Sequence, residues 1–112
     1  MKLGRIVGTV VSTRKDEKIE SLKLYIVRDL SMALEDKDSF VVAADTVGAG
    51  LGEVVLYASG SSARQTKVTD ARPVDASVMA IVDLIDMDGE LVYDKSQDAW
   101  VPAARKPSGS DG

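Results

Sequence analysis

Cysteine and histidine are both absent from this 112-residue chain. The first absence excludes disulfides, thiolate metal sites and a cysteine nucleophile, and the second removes the commonest general base and the commonest metal ligand. Aromatic residues are scarce, with one Trp, one Phe and three Tyr, and 18 acidic against 14 basic residues leave a formal charge of −4. Single-stranded nucleic acid is held by exposed aromatics along a basic groove, so that class of partner is disfavoured. No apolar run approaches the roughly 18 residues of a membrane span. The opening Met1-Lys2-Leu3-Gly4-Arg5-Ile6-Val7-Gly8 is interrupted by glycine and leads to no small-residue cleavage pattern, so it reads as a strand of a cytoplasmic protein.

What is present is ordinary for a globular domain, 45% hydrophobic and 29% charged, with length enough to bury one core. Residues 3–11 are apolar on both parities, Leu3, Val7 and Val11 against Ile6 and Val10, which predicts a first strand covered on both faces. Leu22, Leu24, Ile26 and Leu30 alternate with Lys23, Tyr25, Val27 and Asp29, the period of a half-buried second strand. Glu35-Asp36-Lys37-Asp38 reads as a solvated turn before a third strand at 40–44, and residues 53–59, bounded by Gly52 and Gly60, read as a fourth. Arg72 precedes Pro73, which suits a first helical position with Asp75 in the first turn, so a short helix is predicted over 72–76. A strand-like run from Val78 follows, and Asp88-Gly89 signals a hairpin into Leu91-Val92-Tyr93.

These elements predict a mainly β fold, a small five-stranded OB-like β-barrel with one short helix and a C-terminal hairpin and tail. The barrel domain is expected over 1–95, with an irregular or disordered extension over 96–112. Trp100 lies in that extension, where packing on its own barrel, packing on a neighbouring subunit and disorder are all open.

No motif for catalysis survives inspection. In Gly48-Ala49-Gly50-Leu51-Gly52-Glu53 a glutamate stands where a dinucleotide fingerprint needs its third glycine, and a strand follows where a helix is required; a tight turn fits better, with Asp45 accepting hydrogen bonds from its N–H groups. Gly60-Ser61-Ser62-Ala63-Arg64-Gln65 lacks the last glycine of a nucleophile elbow, and no histidine is available to serve it. Ser61 and Ser62 either line a polar opening or satisfy a turn, and Arg64 pairs either within the subunit or across an interface. Asp86-Met87-Asp88-Gly89-Glu90 fails as a calcium loop, because Leu84 and Lys95 would occupy the first and last ligand positions. No catalytic, cofactor or metal site is therefore expected. Three small-residue turns within some forty residues instead suggest loops packed closely against another copy of the chain.

The run Val42-Ala43-Ala44-Asp45-Thr46-Val47-Gly48-Ala49-Gly50, then Gly52-Glu53-Val54-Val55-Leu56, then Ser59-Gly60-Ser61-Ser62-Ala63-Arg64-Gln65, then Arg72-Pro73-Val74-Asp75-Ala76, resembles the EutN/CcmL-type vertex proteins of bacterial microcompartments. The resemblance spans residues 1–95 in order. It implies an OB-like barrel that assembles into a cyclic homopentamer, meets hexameric and pseudohexameric shell proteins, and caps the fivefold vertices of a polyhedral shell in the cytoplasm. It also makes Asp45, Gly48, Ala49 and Gly50, with Gly60, Ser61, Ser62, Ala63, Arg64 and Gln65, candidates for the subunit interface or a central pore. The rival expectation is a monomeric OB-type domain that binds single-stranded nucleic acid or a small ligand.

Overall fold

The computed structural model describes residues 1–12, 15–19, 21–70 and 72–102. Seven strands follow in chain order: β1 (Lys2–Val10), β2 (Leu24–Leu30), β3 (Asp36–Asp45), β4 (Val54–Ser59), β5 (Ala76–Ile81), β6 (Leu84–Met87) and β7 (Glu90–Asp94). The first five close into a barrel in the order β1-β2-β3-β5-β4, while β6 and β7 form a separate two-stranded sheet. All barrel pairings are antiparallel except β3 with β5, a short parallel contact in which Ala44 faces Ser77 and Asp45 faces Val78. Closure leaves no barrel strand as an open edge.

Alternation along the strands sorts two cores. Ile6, Tyr25, Val27, Val55, Tyr57 and Val78 fill the barrel, and complete burial of an aliphatic side chain contributes about 1.5–3 kcal/mol. Leu3, Leu30, Val54 and Tyr93 form a second cluster outside the barrel wall, joined by Ile85 from β6. The first strand is thus covered on both faces at its start, as its sequence predicts, and the second cover is the C-terminal hairpin. Gly4 makes room for this wall: a Cβ there would lie 2.4 Å from the Val27 side chain and 2.9 Å from the Arg28 carbonyl oxygen.

Three local expectations are corrected. In β2 the barrel side carries Tyr25 and Val27, while Leu24 and Ile26 face outward and stay half-buried. Both parities of that strand are apolar, so periodicity cannot say which side is inside. β3 begins at Asp36, and the reversal before it falls over 31–35, where Leu34 takes a φ of 65° and the Ser31 hydroxyl accepts from the N–H groups of Ala33 and Glu35. The predicted helix start at Arg72, Pro73 and Asp75 is absent: these residues bend into β5, and Arg72 N–H bonds back to Thr69. The helical turns among the described residues are three short 3₁₀ turns, Glu17–Ile19, Gly60–Arg64 and Lys95–Gln97, of which Gly60–Arg64 is the longest. The hairpin, by contrast, forms where Asp88-Gly89 predicts it, both residues taking the positive φ (56° and 78°) that a two-residue turn favours.

Candidate subunit interface

The turn over 45–50 is built on one carboxylate. Asp45 accepts from the N–H groups of Val47, Gly48 and Ala49 at 3.1–3.2 Å, as its sequence context predicts. Gly48 supplies a φ of 74°, and Ala49 is folded into the end of the barrel core, where the Tyr25 hydroxyl donates to its carbonyl at 2.5 Å. The Gly50 N–H donates to Glu53 Oε1 at 2.7 Å, which closes the turn onto the start of β4. Of the turn's candidate residues only Gly48 is exposed.

At the other end of β4 lies the 3₁₀ turn Gly60–Arg64. Gly60 and the two serines are exposed, whereas Ala63 is fully buried and its carbonyl accepts from both Thr69 Oγ1 (2.7 Å) and Ser77 Oγ (2.5 Å). Arg64 donates to the Val74 carbonyl at 3.0 Å, so this guanidinium ties the turn to its own subunit. Gln65 ends the turn through its N–H to the Ser62 carbonyl and leaves its side chain at the surface. The first residues of β5 hold both loops, since Ser77 bonds Ala63 and the Val78 carbonyl accepts from Thr46 Oγ1 at 2.6 Å. The first loop leads into the start of β4 through the Gly50–Glu53 bond and the second leaves its end at Gly60, and consecutive β5 residues link the two.

Two apolar surfaces that sequence reasoning did not single out are open. On the outer wall of β2 and β3, Ile26 pairs with Val42 and Arg28 with Phe40; Val42 and Phe40 are 49% and 55% exposed. The Arg28 guanidinium lies 5.0 Å from the Phe40 ring centre. Beside this wall, Ile19, Leu24, Val42, Ala44 and Val74, together with Asp75, line a groove of about 170 Å³. On the opposite side of the closed strand order, where the hairpin covers β1 and β4, Leu84, Met87 and Leu91 stand exposed. The available signal was in β2 and β3 themselves: strands apolar on both parities, like the first, imply a covered outer face.

A polar strap crosses the barrel near the turn. Arg5, buried at 7% exposure, donates to the Gly52 carbonyl and to Asp98, both at 2.8 Å. Trp100 lies over Gly52, so close that a Cβ there would come within 2.9 Å of the indole, and it stacks on the Arg5 guanidinium at 5.4 Å. Residues 98–100 are therefore packed on their own barrel, and the extension from 103 onward lies outside the described residues. Burial opposes ionisation of Asp98, but the Arg5 bond and charge outweigh it and hold its carboxyl below the usual value. Glu53 is held low chiefly by Lys95, which donates to it at 2.5 Å. In β2, opposite Gly4, burial again opposes ionisation of Asp29, yet bonds from Ser39 and Tyr57 prevail and its pKa falls, while burial and the neighbouring Asp29 push the Tyr57 phenol up. Among the described residues no cluster of three or more acidic side chains is placed to hold a metal ion.

Comparison with known proteins gives a consistent result. The family model described as ethanolamine utilisation protein EutN/carboxysome matches residues 1–83. The carboxysome shell vertex protein CcmL of Synechococcus elongatus is 41% identical over 97 residues, which is 87% of this chain and 98% of that protein. The solved structure of Gloeobacter violaceus CcmL superposes with a TM-score of 0.82 at 41% identity, covering 86% of this chain and 99% of the other. The GrpN pentameric microcompartment shell protein of Rhodospirillum rubrum matches with a TM-score of 0.71 at 45% identity, over 78% and 100% of the two chains.

Proposed function

Because this chain belongs to the EutN/carboxysome family, we propose that it is a structural shell protein, a homopentamer that caps the fivefold vertices of a polyhedral bacterial microcompartment. The observation that carries this reading is similarity over nearly the whole length of shell vertex proteins, including one whose solved form is pentameric. The chain's own physics supports it. A cyclic ring uses a heterologous contact, one face of each subunit against a different face of the next, and this barrel presents two unlike apolar faces. The protein acts by shape: a pentagon set among hexagonal tiles forces a flat layer to curve. We take the pentamer's partners to be hexameric and pseudohexameric shell proteins, and we assign it no reaction and no nucleic-acid ligand. The turn at 45–50 and the 3₁₀ turn at 60–64 are proposed to border the neighbouring subunit through their exposed residues, Gly48, Gly60, Ser61 and Ser62, with Ala49, Ala63 and Arg64 bracing those loops from within.

Co-expression with a hexameric shell protein, followed by electron microscopy, tests the reading. Closed polyhedra that become open sheets or tubes when this chain is omitted are the expected result, and particles equally closed without it would refute a vertex role.

A further inference from the structure

The corner beneath the strap is built without the strap. The Gly52 N–H donates to the Ile6 carbonyl at 2.8 Å and the Ile6 N–H to the Glu53 carbonyl at 3.0 Å, which stitches residues 52–53 to β1. Arg5 Nη1 donates to the Gly52 carbonyl, so the guanidinium is fixed with only 7% of the residue exposed, and the same nitrogen meets Asp98. Gly52, at a φ of 89° and with no side chain, leaves the floor on which the Trp100 indole lies. The Asp98 carboxylate also accepts from the Trp100 backbone N–H at 3.3 Å and from the Tyr93 hydroxyl at 3.4 Å. A carboxylate and an indole two residues apart are thus read together, one by a charge-assisted bond and the other by stacking.

What occupies this corner is fastened by side chains alone. Among the described residues no backbone hydrogen bond joins 96–102 to the barrel, and the Asp98 N–H bonds only within its own turn, to the Lys95 carbonyl. Ser96, Gln97, Ala99, Val101 and Pro102 are exposed. Two hollows of about 360 Å³ each border the indole, one reaching Val7, Arg28 and Asp36 and the other Leu51 and Tyr93, so the strap does not fill the surface it lies on. Segments with few buried contacts and no backbone bonds to the core are the ones that open first. The strap also lies beyond residues 1–83, the part that the family model matches. We propose that the Arg5–Gly52 corner is a peptide-binding site, which takes a partner protein's segment bearing a carboxylate two residues ahead of an indole, and that residues 98–100 are its resident, displaceable occupant. Because the receiving groups are already in place, a competing segment does not have to order them. The tethered strap closes the site to weak binders, since a short tether holds it at an effective concentration on the order of mM.

Asp98→Ala and Trp100→Ala combined in the full chain empty the site and remove the only tryptophan. The probe is a capped peptide with the chain's own sequence Ser96-Gln97-Asp98-Ala99-Trp100-Val101-Pro102, labelled with fluorescein for anisotropy. The expected result is saturable binding to the emptied chain, at least about tenfold tighter than to the wild-type chain, whose strap competes. Unlabelled peptide should bring its indole emission to the blue as it docks on Gly52. Replacing the peptide's aspartate by alanine, or scrambling its order, should weaken binding by at least about tenfold, because a charge-assisted bond is lost. Circular dichroism checks the fold; should the double variant lose it, Asp98→Asn with Trp100→Ala leaves Arg5 an amide oxygen and is read by the same criteria. Equal binding by the emptied and wild-type chains, or by the intact and scrambled peptides, would overturn the proposal. So would an emptied chain that shows no saturation up to roughly 1 mM peptide, which would make the strap a fixed part of the fold.

Discussion

Inside the barrel Ile6, Val27, Val55 and Val78 retain no exposed surface, whereas on the hairpin Leu84 and Leu91 keep 63% and 60% of theirs. The residue types are nearly the same and their use is opposite. Four barrel side chains are committed to the fold of the single subunit. The hairpin leucines leave about 1–2 kcal/mol each of burial unrealised until another surface arrives. A shell tile needs this division, because the same small domain must hold its own shape and still offer adhesive faces to its neighbours.

Substitutions should separate the two uses. Ile6→Ala removes a fully buried side chain, and urea unfolding should show a loss of about 2–5 kcal/mol per subunit. Asp98→Ala strands Arg5 beneath Trp100 and should cost about 1–3 kcal/mol. Fluorescence reports it, since the only tryptophan should shift to the red as its packing loosens. Asp45→Ala leaves three turn N–H groups without their carboxylate and should cost about 1–2 kcal/mol in the same unfolding assay. Leu91→Ser should change subunit stability by no more than about 0.5 kcal/mol while shifting sedimentation toward monomer. That contrast with Ile6→Ala is the comparison in its sharpest form.

Acidity should matter least near neutrality. Asp29, Glu53 and Asp98 titrate below their ordinary values, so the stability they give is full above about pH 4–5 and is lost as pH falls through their depressed folded values. Tyr57 and Tyr93 are shifted up, Tyr57 by burial and Asp29 and Tyr93 by burial and Asp98, so their contribution is full below about pH 10 and lost above it. With no histidine in the chain, melting temperature should be flat from about pH 6 to 8. A step inside that range would mean that another group titrates there.

Local chemistry was legible wherever a residue acts on its own neighbours. The Asp45 turn, the glycine-bounded β4 and the Asp88-Gly89 hairpin all follow from short-range hydrogen bonding or backbone geometry. What depended on distant partners was not. A bulge between Ile6 and Gly8 resets the alternation of β1, so that Gly8 and Val10 join the outer wall opposite Ile26 and Leu24. Pro73 and Asp75 carry a helix-start signal, yet Ser77 and Val78 pair with both β3 and β4 and Ala76 with β4, and sheet closure overrides the local preference. Trp100 finds its place only because Gly52 and Arg5, far away in sequence, leave a flat site for it. Of the candidate interface residues, Ala49 and Ala63 are used largely within the subunit, and the β2–β3 wall escaped notice because one parity of apolar residues was already enough to explain a strand.

The most direct test of the central claim is the native mass in solution, measured by light scattering after size exclusion at two concentrations about tenfold apart. Five subunits of 11.9 kDa should elute as one species of about 60 kDa at both concentrations. A persistent species at the 11.9 kDa of a single chain would contradict a pentameric shell vertex.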